Sequence, residues 1–334
     1  MKKKYIEIGI YLLGCIIVAL GMPTTSAMAF YLSSALVLVI MPKFIQYLKK
    51  VSIQQTESEY ALEKKSGTPI MAGLLFSLVT MVTTIIFAPN KGDLTLWMLV
   101  LGLVGFGMIG FVDDMTVVLK RNNAGLKART RLLIEAILAI VMTFLLYQMK
   151  GLDYLKGASI FQCLGFLIII LLMFMGSTNA VNLTDGMDGL AGGVSLIAFM
   201  AYFIYAIQKQ LPVIAIFCAA MGGSLFGYLF FNHKPAKVFM GDTGSLALGG
   251  SLATIALITH TELALILIAG IPVLEAMSVI IQISAVKLFH HRVFPYTPIH
   301  YSFKIWGLKE VQVVYLFWLL EFFFAMIGLW LLIH

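Results

Sequence analysis

The chain has 334 residues, 60% of them hydrophobic and only 12% charged, with a net charge of +7. Soluble domains run near a quarter charged, so this composition, with mean hydropathy +0.97, excludes a water-soluble enzyme and describes a polytopic membrane protein. The basic excess is not a nucleic-acid signature in this setting, because membrane proteins collect Lys and Arg in loops that face anionic lipid and anionic substrates.

A helix needs about 20 mostly apolar residues to cross a bilayer. Residues 1–21 join a KKK start to an apolar stretch, as a signal peptide does. The next run is again hydrophobic, so 1–24 reads equally as a retained segment, spanning or interfacial. Ten spans follow, at 25–46, 68–88, 95–112, 131–149, 159–177, 190–208, 212–231, 245–260, 262–286 and 313–333. The expectation is an all-α, ten-helix transmembrane bundle over 25–334, a single domain with a possible extra N-terminal helix. Cys15, Cys163 and Cys218 lie inside apolar runs and match no disulfide or metal spacing.

Orientation follows from the basic residues. If 25–46 ends in the cytoplasm, the connections 47–67, 113–130, 178–189, 232–244 and 287–312 are cytoplasmic too. Sixteen of the 23 Lys and Arg fall on or beside these, and four on the opposite set, namely Lys91, Lys150, Lys156 and Lys209. That asymmetry puts the first set inside. The opposite loops are short and chemically bare. The inner ones hold nearly every Asp, Asn and His that could do chemistry.

Taken along the chain, the inner face begins with KKSGTPIMAG at 64–73, where Lys64 and Lys65 precede a Gly-Thr-Pro turn. A Walker loop would need its Lys after the glycines. GFVDDM at 110–115 ends an apolar run on Asp113 and Asp114. An isolated pair could be two solvated carboxylates at the membrane boundary. Adjacent acids also suit Mg²⁺, which prefers carboxylate and phosphate oxygens, and Lys120, Arg121, Lys127, Arg129 and Arg131 follow closely. NAVNLTDGMDGLAGG at 179–193 sets Asn179, Asn182, Asp185 and Asp188 at steps of three, which a helical backbone would align on one face. Polar residues facing a bundle interior at the membrane edge are functional candidates. In FNHKPAKVFMGDTGSLALGG at 231–250, Asp242 or Thr243 could cap a helix, and a helix N-terminus bearing a carboxylate suits a phosphate–Mg²⁺ complex. Phe239 is either a core ring or a platform for a base. HHRVFPYTPIHYSFKIWG at 290–307 forms a rigid polar loop without zinc spacing, in which His300 could stabilise charge on phosphates. Together these clusters point to an enzyme that handles a phosphorylated soluble donor at the cytoplasmic surface, with a lipid co-substrate.

The motifs KKSGTPIMAG, GFVDD, NAVNLTDGMDGLAGG, FMGDTGSLALGG, EAMSVIIQ and PIHYSF occur in an order that resembles the bacterial phospho-N-acetylmuramoyl-pentapeptide transferases, within the polyprenyl-phosphate N-acetylhexosamine-1-phosphate transferase superfamily. The resemblance covers roughly residues 40–320. It implies a homodimeric enzyme of the bacterial inner (cytoplasmic) membrane, serving peptidoglycan synthesis and hence cell wall biogenesis, shape and division. The reaction would move phospho-MurNAc-pentapeptide from UDP-MurNAc-pentapeptide to undecaprenyl phosphate, giving lipid I and UMP with Mg²⁺ as cofactor.

The resemblance also carries roles onto matching positions. Asp242 would bind the metal, Asp113 would be the base for the lipid phosphate, and Asp114 would support metal or phosphate. Asn182, Asp188 and Phe239 would hold the uridine, Lys65 and Asp185 would border the nucleotide pocket, and His300 would approach the phosphates. Asn179 joins the substrate-binding set, and Arg129 and Arg131 stand where the family has basic residues near substrate. The family usually reads PIHHH, but here Tyr301 and Ser302 follow His300, so only His300 is carried over. Leu62 stands where a His is usual three residues before Lys65, and GTPTMGG has become GTPIMAG. Phosphoryl transfer needs positioning and charge neutralisation more than covalent help, which favours direct attack by the lipid phosphate over a phospho-aspartate route. Alternatives are a UDP-GlcNAc transferase to the same lipid, or a transporter, whose polar residues would instead line a midplane site.

Overall fold

Lipid offers no partners to backbone N–H and C=O groups, so an apolar run that enters it must close its own hydrogen bonds as a helix. The computed structural model describes residues 22–50, 67–120, 125–150 and 159–334. Ten helices of 16 to 27 residues stand where ten spans are expected: α1 (Thr24–Lys50), α2 (Ala72–Phe87), α3 (Leu94–Lys120), α4 (Ala128–Lys150), α5 (Ile160–Thr184), α6 (Leu190–Gln208), α7 (Pro212–Asn232), α8 (Gly241–Thr259), α10 (Gly270–Phe289) and α12 (Glu310–Ile333). Two short helices, α9 (Leu265–Ile268) and α11 (Ile299–Ile305), complete the order. Eight of the ten are long and apolar enough to cross a membrane by length and composition. The expected extra N-terminal helix and Lys65 lie outside the described residues.

Hydropathy alone does not separate helices that face protein from those that face lipid. The most apolar window of α7 is 89% buried, and that of α5 only 11%. Side-chain size separates them. The α7 sequence is dotted with Ala, Gly and Ser, as is that of α8, whereas α5 reads FLIIILLMF. Between helices in lipid there is little hydrophobic drive, so close backbone approach and van der Waals contact hold them, and small residues permit that. At Gly102 of α3, an added Cβ would lie 2.1 Å from the Thr254 hydroxyl of α8. Helix α8 is therefore an inner post wrapped by α2, α3 and α5, and α7 is a second one flanked by α1, α2 and α6.

Three boundaries differ from the expectation, each for a local reason. Helix α3 does not stop at 112 but runs on to Lys120, so Asp113 and Asp114 sit within it. Helix α5 runs to Thr184 and carries Asn179 and Asn182 in its last turns. The span expected at 262–286 is broken at Ala269 into α9 and α10. A new helix start there leaves orphan N–H donors. Glu321, fully buried on α12, accepts the Ile271 N–H at 2.7 Å and so caps α10 from outside.

Hydrogen bonds tie the polar connections together at one end of the bundle. The Leu126 amide reaches Asp113, the Gly189 amide reaches Asn232, the Asp188 amide reaches Glu310, and Phe239 pairs with Pro69. The polar clusters from distant parts of the sequence thus share one face.

Candidate active site

The centre of that face is the crossing of α3 and α8. At Gly110 an added Cβ would lie 2.0 Å from the Asp242 carbonyl oxygen and 2.6 Å from the Thr243 nitrogen, so only glycine lets the two helices touch there. One turn on, the Asp114 carboxylate faces the α8 N-terminus. It accepts the Asp242 N–H at 3.0 Å, the Thr243 N–H at 2.9 Å and the Thr243 hydroxyl at 2.6 Å. These are the second and third amides of the helix, which a capping side chain normally takes. Met240, the residue before α8, makes no side-chain cap. The cap expected from Asp242 or Thr243 is thus replaced by a carboxylate from another helix. Gly241, at φ +69°, makes room for it, since a Cβ there would lie 2.5 Å from Asp114 Oδ2.

This arrangement divides the DD pair. Asp114 is committed to the scaffold, and it also occupies the α8 amides that were candidate phosphate ligands. Asp113 turns to the other side. It accepts the Leu126 N–H, and its Oδ2 lies 3.4 Å from Arg131 Nη1.

Arg131, in the first turn of α4, is the hub. Its Nη1 donates to Asp242 Oδ2 at 3.1 Å and its Nη2 to Asn179 Oδ1 at 2.6 Å. The other oxygen of Asp242 accepts Asn182 Nδ2 at 2.8 Å, and the same amide reaches Ser245 Oγ at 3.0 Å. Asp242 is thereby fixed at its backbone by Asp114 and at its two oxygens by Asn182 and Arg131, while its side chain stays 29% exposed. Asp113 and Asp242 thus share one guanidinium, with the committed Asp114 bonded to the backbone behind Asp242, so the face has unspent capacity for positive charge.

A second cluster lies beside the first. Asp188 Oδ2 accepts the Ala236 N–H at 3.0 Å, and the Asp188 amide donates to Glu310. Lys234 pairs with the other oxygen of Glu310. Asn232 accepts the Gly189 N–H at 2.9 Å and donates to the Val238 carbonyl at 2.9 Å. Phe239 is half-buried, with its backbone bonded to Pro69 and Ala72 on either side. Asp185 closes the end of α5 as its C-terminal cap. Of the row set at steps of three, only Asn179 and Asn182 share a helix face; Asp185 lies at the helix end and Asp188 beyond it, because α5 stops at Thr184.

His300 lies apart from the carboxylates. It is fully buried, and its Nδ1 sits 3.0 Å from Oε1 of an equally buried Glu275 on α10. Its Nε2 has no hydrogen bond and points at Gly186, where an added Cβ would lie 2.3 Å away. Tyr301 donates its hydroxyl to the Gly186 carbonyl at 3.3 Å. The histidine therefore reaches the site through the loop 185–189. Arg129 is exposed on α4.

Glu135, Glu275, Glu310 and Asn232 join this network although the sequence does not single them out. A signal for the acids was present, since an ionisable residue inside or beside an apolar span is a functional candidate in its own right. Asn232 carries none, because the Gly189 amide it accepts is distant in the chain; Thr243, a candidate cap in the sequence, instead donates to Asp114.

A family model for glycosyl transferase family 4 matches residues 96–260, the stretch that carries both Asp113–Asp114 and Asp242. The phospho-N-acetylmuramoyl-pentapeptide-transferase of Geobacillus sp. (strain WCH70) is 40% identical over 314 residues, covering 91% of this chain and 97% of that protein. The protein of the same name from Bacillus cytotoxicus is 41% identical over 321 residues, covering 93% and 98%, and that from Heliobacterium modesticaldum is 41% identical over 313 residues, covering 90% and 95%. With likeness of this extent over nine-tenths of its length, the chain belongs to the phospho-N-acetylmuramoyl-pentapeptide-transferase family.

Proposed function

We propose that this chain transfers phospho-MurNAc-pentapeptide from UDP-MurNAc-pentapeptide to undecaprenyl phosphate, forming lipid I and UMP on the cytoplasmic face of the bacterial inner membrane. The observation that carries the reading is the Asp113–Arg131–Asp242 constellation, placed at one end of a membrane bundle whose relatives are named for this transfer. The sixteen-to-four distribution of basic residues supports the cytoplasmic orientation. An apolar groove of about 260 Å³, lined by Leu172, Gly176 and Ala180 of α5 and Ile266, Pro272 and Val273 around α10, supports a long isoprenoid acceptor. Ala180 is the sequence neighbour of Asn179, so the groove and the polar cluster share α5. A homodimer belongs to the same proposal.

Asp113 Oδ2 and Asp242 Oδ2 converge on one cationic atom, Arg131 Nη1, which supports a position for a divalent cation between two carboxylates. Among the described residues no group of three or more His, Cys, Asp or Glu is arranged to hold a metal. Mg²⁺ suits such a partial site, because it takes one or two carboxylates and fills the rest with water and substrate phosphate. Asp242 and Asp113 would hold it, and when bound it would neutralise charge on the diphosphate.

The remaining work falls to side chains. An oxygen of the lipid phosphate attacks the β-phosphorus, the bond to the α-phosphate oxygen breaks, and UMP leaves with that oxygen. The acceptor is largely ionised near neutral pH, its second pKa being about 6, and Asp113 takes any proton left on it. Arg131 offers its guanidinium to the phosphoryl oxygens, while Asn182 and Asp114 hold Asp242 still. The Asp188, Phe239 and Lys234 cluster receives the nucleotide.

The test is UMP release by the purified protein from UDP-MurNAc-pentapeptide and undecaprenyl phosphate, with Mg²⁺ and with EDTA, and with UDP-GlcNAc as the competing donor. The expected result is Mg²⁺-dependent release with the muramoyl donor alone. Release with UDP-GlcNAc instead, or none with either, overturns the assignment.

A further inference from the structure

Glu135 lies one helical turn along α4 from Arg131 and is fully buried, although it belongs to none of the motifs that carry the chemistry. Its Oε2 accepts Thr178 Oγ1 at 3.1 Å and Asn179 Nδ2 at 3.0 Å. That second bond, together with one from the same nitrogen to the Met175 carbonyl at 2.8 Å, sets which way the Asn179 amide faces. With its nitrogen turned to Glu135, its oxygen is left to accept Arg131 Nη2 at 2.6 Å. The other oxygen, Oε1, has no hydrogen bond, and neither has Nε of Arg131, yet these two buried groups face each other at 3.8 Å. A buried carboxylate is costly unless it serves a partner. Two of its three polar partners are Arg131 itself and Asn179, which binds Arg131; the third, Thr178, holds the carboxylate from behind.

We propose that Glu135 is a positioning residue, which aims the Arg131 guanidinium at Asp113 and Asp242 both directly through Nε and indirectly through the Asn179 amide. The charge matters as well as the shape. Arg131 faces two aspartates on one side, and a third carboxylate behind it balances their pull. The guanidinium keeps its bond to Asp242 and its longer contact to Asp113 while being shared with this third carboxylate, and so stays in place for an incoming phosphoryl group. Glu135 touches neither of those aspartates, so it acts only through Arg131. The inference rests on the transfer reaction proposed above.

The experiment measures kcat and KM for both substrates in the full-length protein, together with Tm. The variants are Glu135→Gln, Arg131→Gln and the double variant. The glutamine is near-isosteric and keeps an acceptor for Thr178 and Asn179, but turns a donor toward Arg131 or loses its charge there. The expected result is a fall in kcat of tenfold or more in Glu135→Gln, with little change in Tm or in the KM for the nucleotide donor. The double variant should be no slower than Arg131→Gln alone, since the effect passes through the guanidinium. Thr178→Val, which loosens Glu135 from behind, gives a second measure and should lower kcat several-fold. Wild-type kcat in both Glu135→Gln and Thr178→Val, or full additivity in the double variant, overturns the proposal. Absence of UMP release by the unmodified protein refutes the transfer reading itself, so the two failures are distinct.

Discussion

Asp114→Asn separates a scaffold carboxylate from a chemical one. The wild-type carboxylate spends one oxygen on the Asp242 N–H and the other on both the amide and the hydroxyl of Thr243. An asparagine has one acceptor oxygen and an NH₂ group. If its oxygen stays with Thr243, the NH₂ faces the Asp242 N–H, donor against donor. One buried amide is then left unsatisfied, which costs about 1–3 kcal/mol, and the two surviving bonds lose their charge assistance, roughly another 1 kcal/mol. A loss of about 2–4 kcal/mol should lower Tm by several degrees, at about 2–4 °C per kcal/mol for a chain of this order of size. The displaced Asp242 should also cost at least tenfold in UMP release. Asp113→Asn provides the contrast. Asp113 accepts the Leu126 amide and makes a long contact to Arg131, without the two helix-end amides that Asp114 binds, so its variant should lose turnover with a much smaller change in Tm. Thermal unfolding and UMP release on the same preparations make the comparison. An Asp114→Asn protein with wild-type Tm and no turnover would refute the clamp and move Asp114 into the chemistry. Wild-type values of both would show that the α8 N-terminus needs no such anchor.

Two further outcomes follow from contacts elsewhere. Gly110→Ala drives a methyl group into the backbone of α8 at Asp242, an overpacking that costs about 1–3 kcal/mol, and it should lower Tm and turnover together; Gly165→Ala, where no atom lies within 4 Å of the new Cβ, should change neither. His300→Ala strips a fully buried Glu275 of its side-chain partner and should destabilise by about 3–5 kcal/mol. His300→Gln, which keeps a donor, should lose less Tm, and wild-type Tm with lost turnover in His300→Ala would place the ring at the substrate instead.

Much of this molecule is legible without its structure. Runs of about 20 apolar residues can only be helices in lipid, and the uneven placement of Lys and Arg gathers the chemistry at one end. Ten helices of 16 residues or more stand where ten spans are read. The motifs that carry the resemblance also hold the residues that meet in space, for Asp113 and Asp114 lie in one motif, Asn179 and Asn182 in another, and Asp242 in a third. What the sequence conceals is which member of each motif does what. Asp113 and Asp114 are chemically identical neighbours, and nothing local distinguishes them. They part only because a helix turns by about 100° per residue, and α8 approaches one side of α3 closely enough to claim Asp114.

The same reason accounts for the rest. Helix ends at Lys120 and Thr184 lie beyond the apolar runs because polar residues inside a helix look like loop when their partners are unknown. Glu135, Glu275 and Glu321 stand in apolar stretches whose hydropathy they barely change, yet each is fully buried against a guanidinium, an imidazole or a helix N-terminus. Hydropathy and charge asymmetry sum over many residues and survive without knowledge of neighbours, so the sequence by itself determined a ten-helix membrane bundle with one reactive face. A hydrogen bond belongs to a single pair of atoms, and the pairs at this site span 13 to 129 residues of chain. Only the tertiary structure could decide that Asp114 anchors α8, that Asn182 belongs with Asp242, and that Arg131 stands between the two carboxylates left free to act.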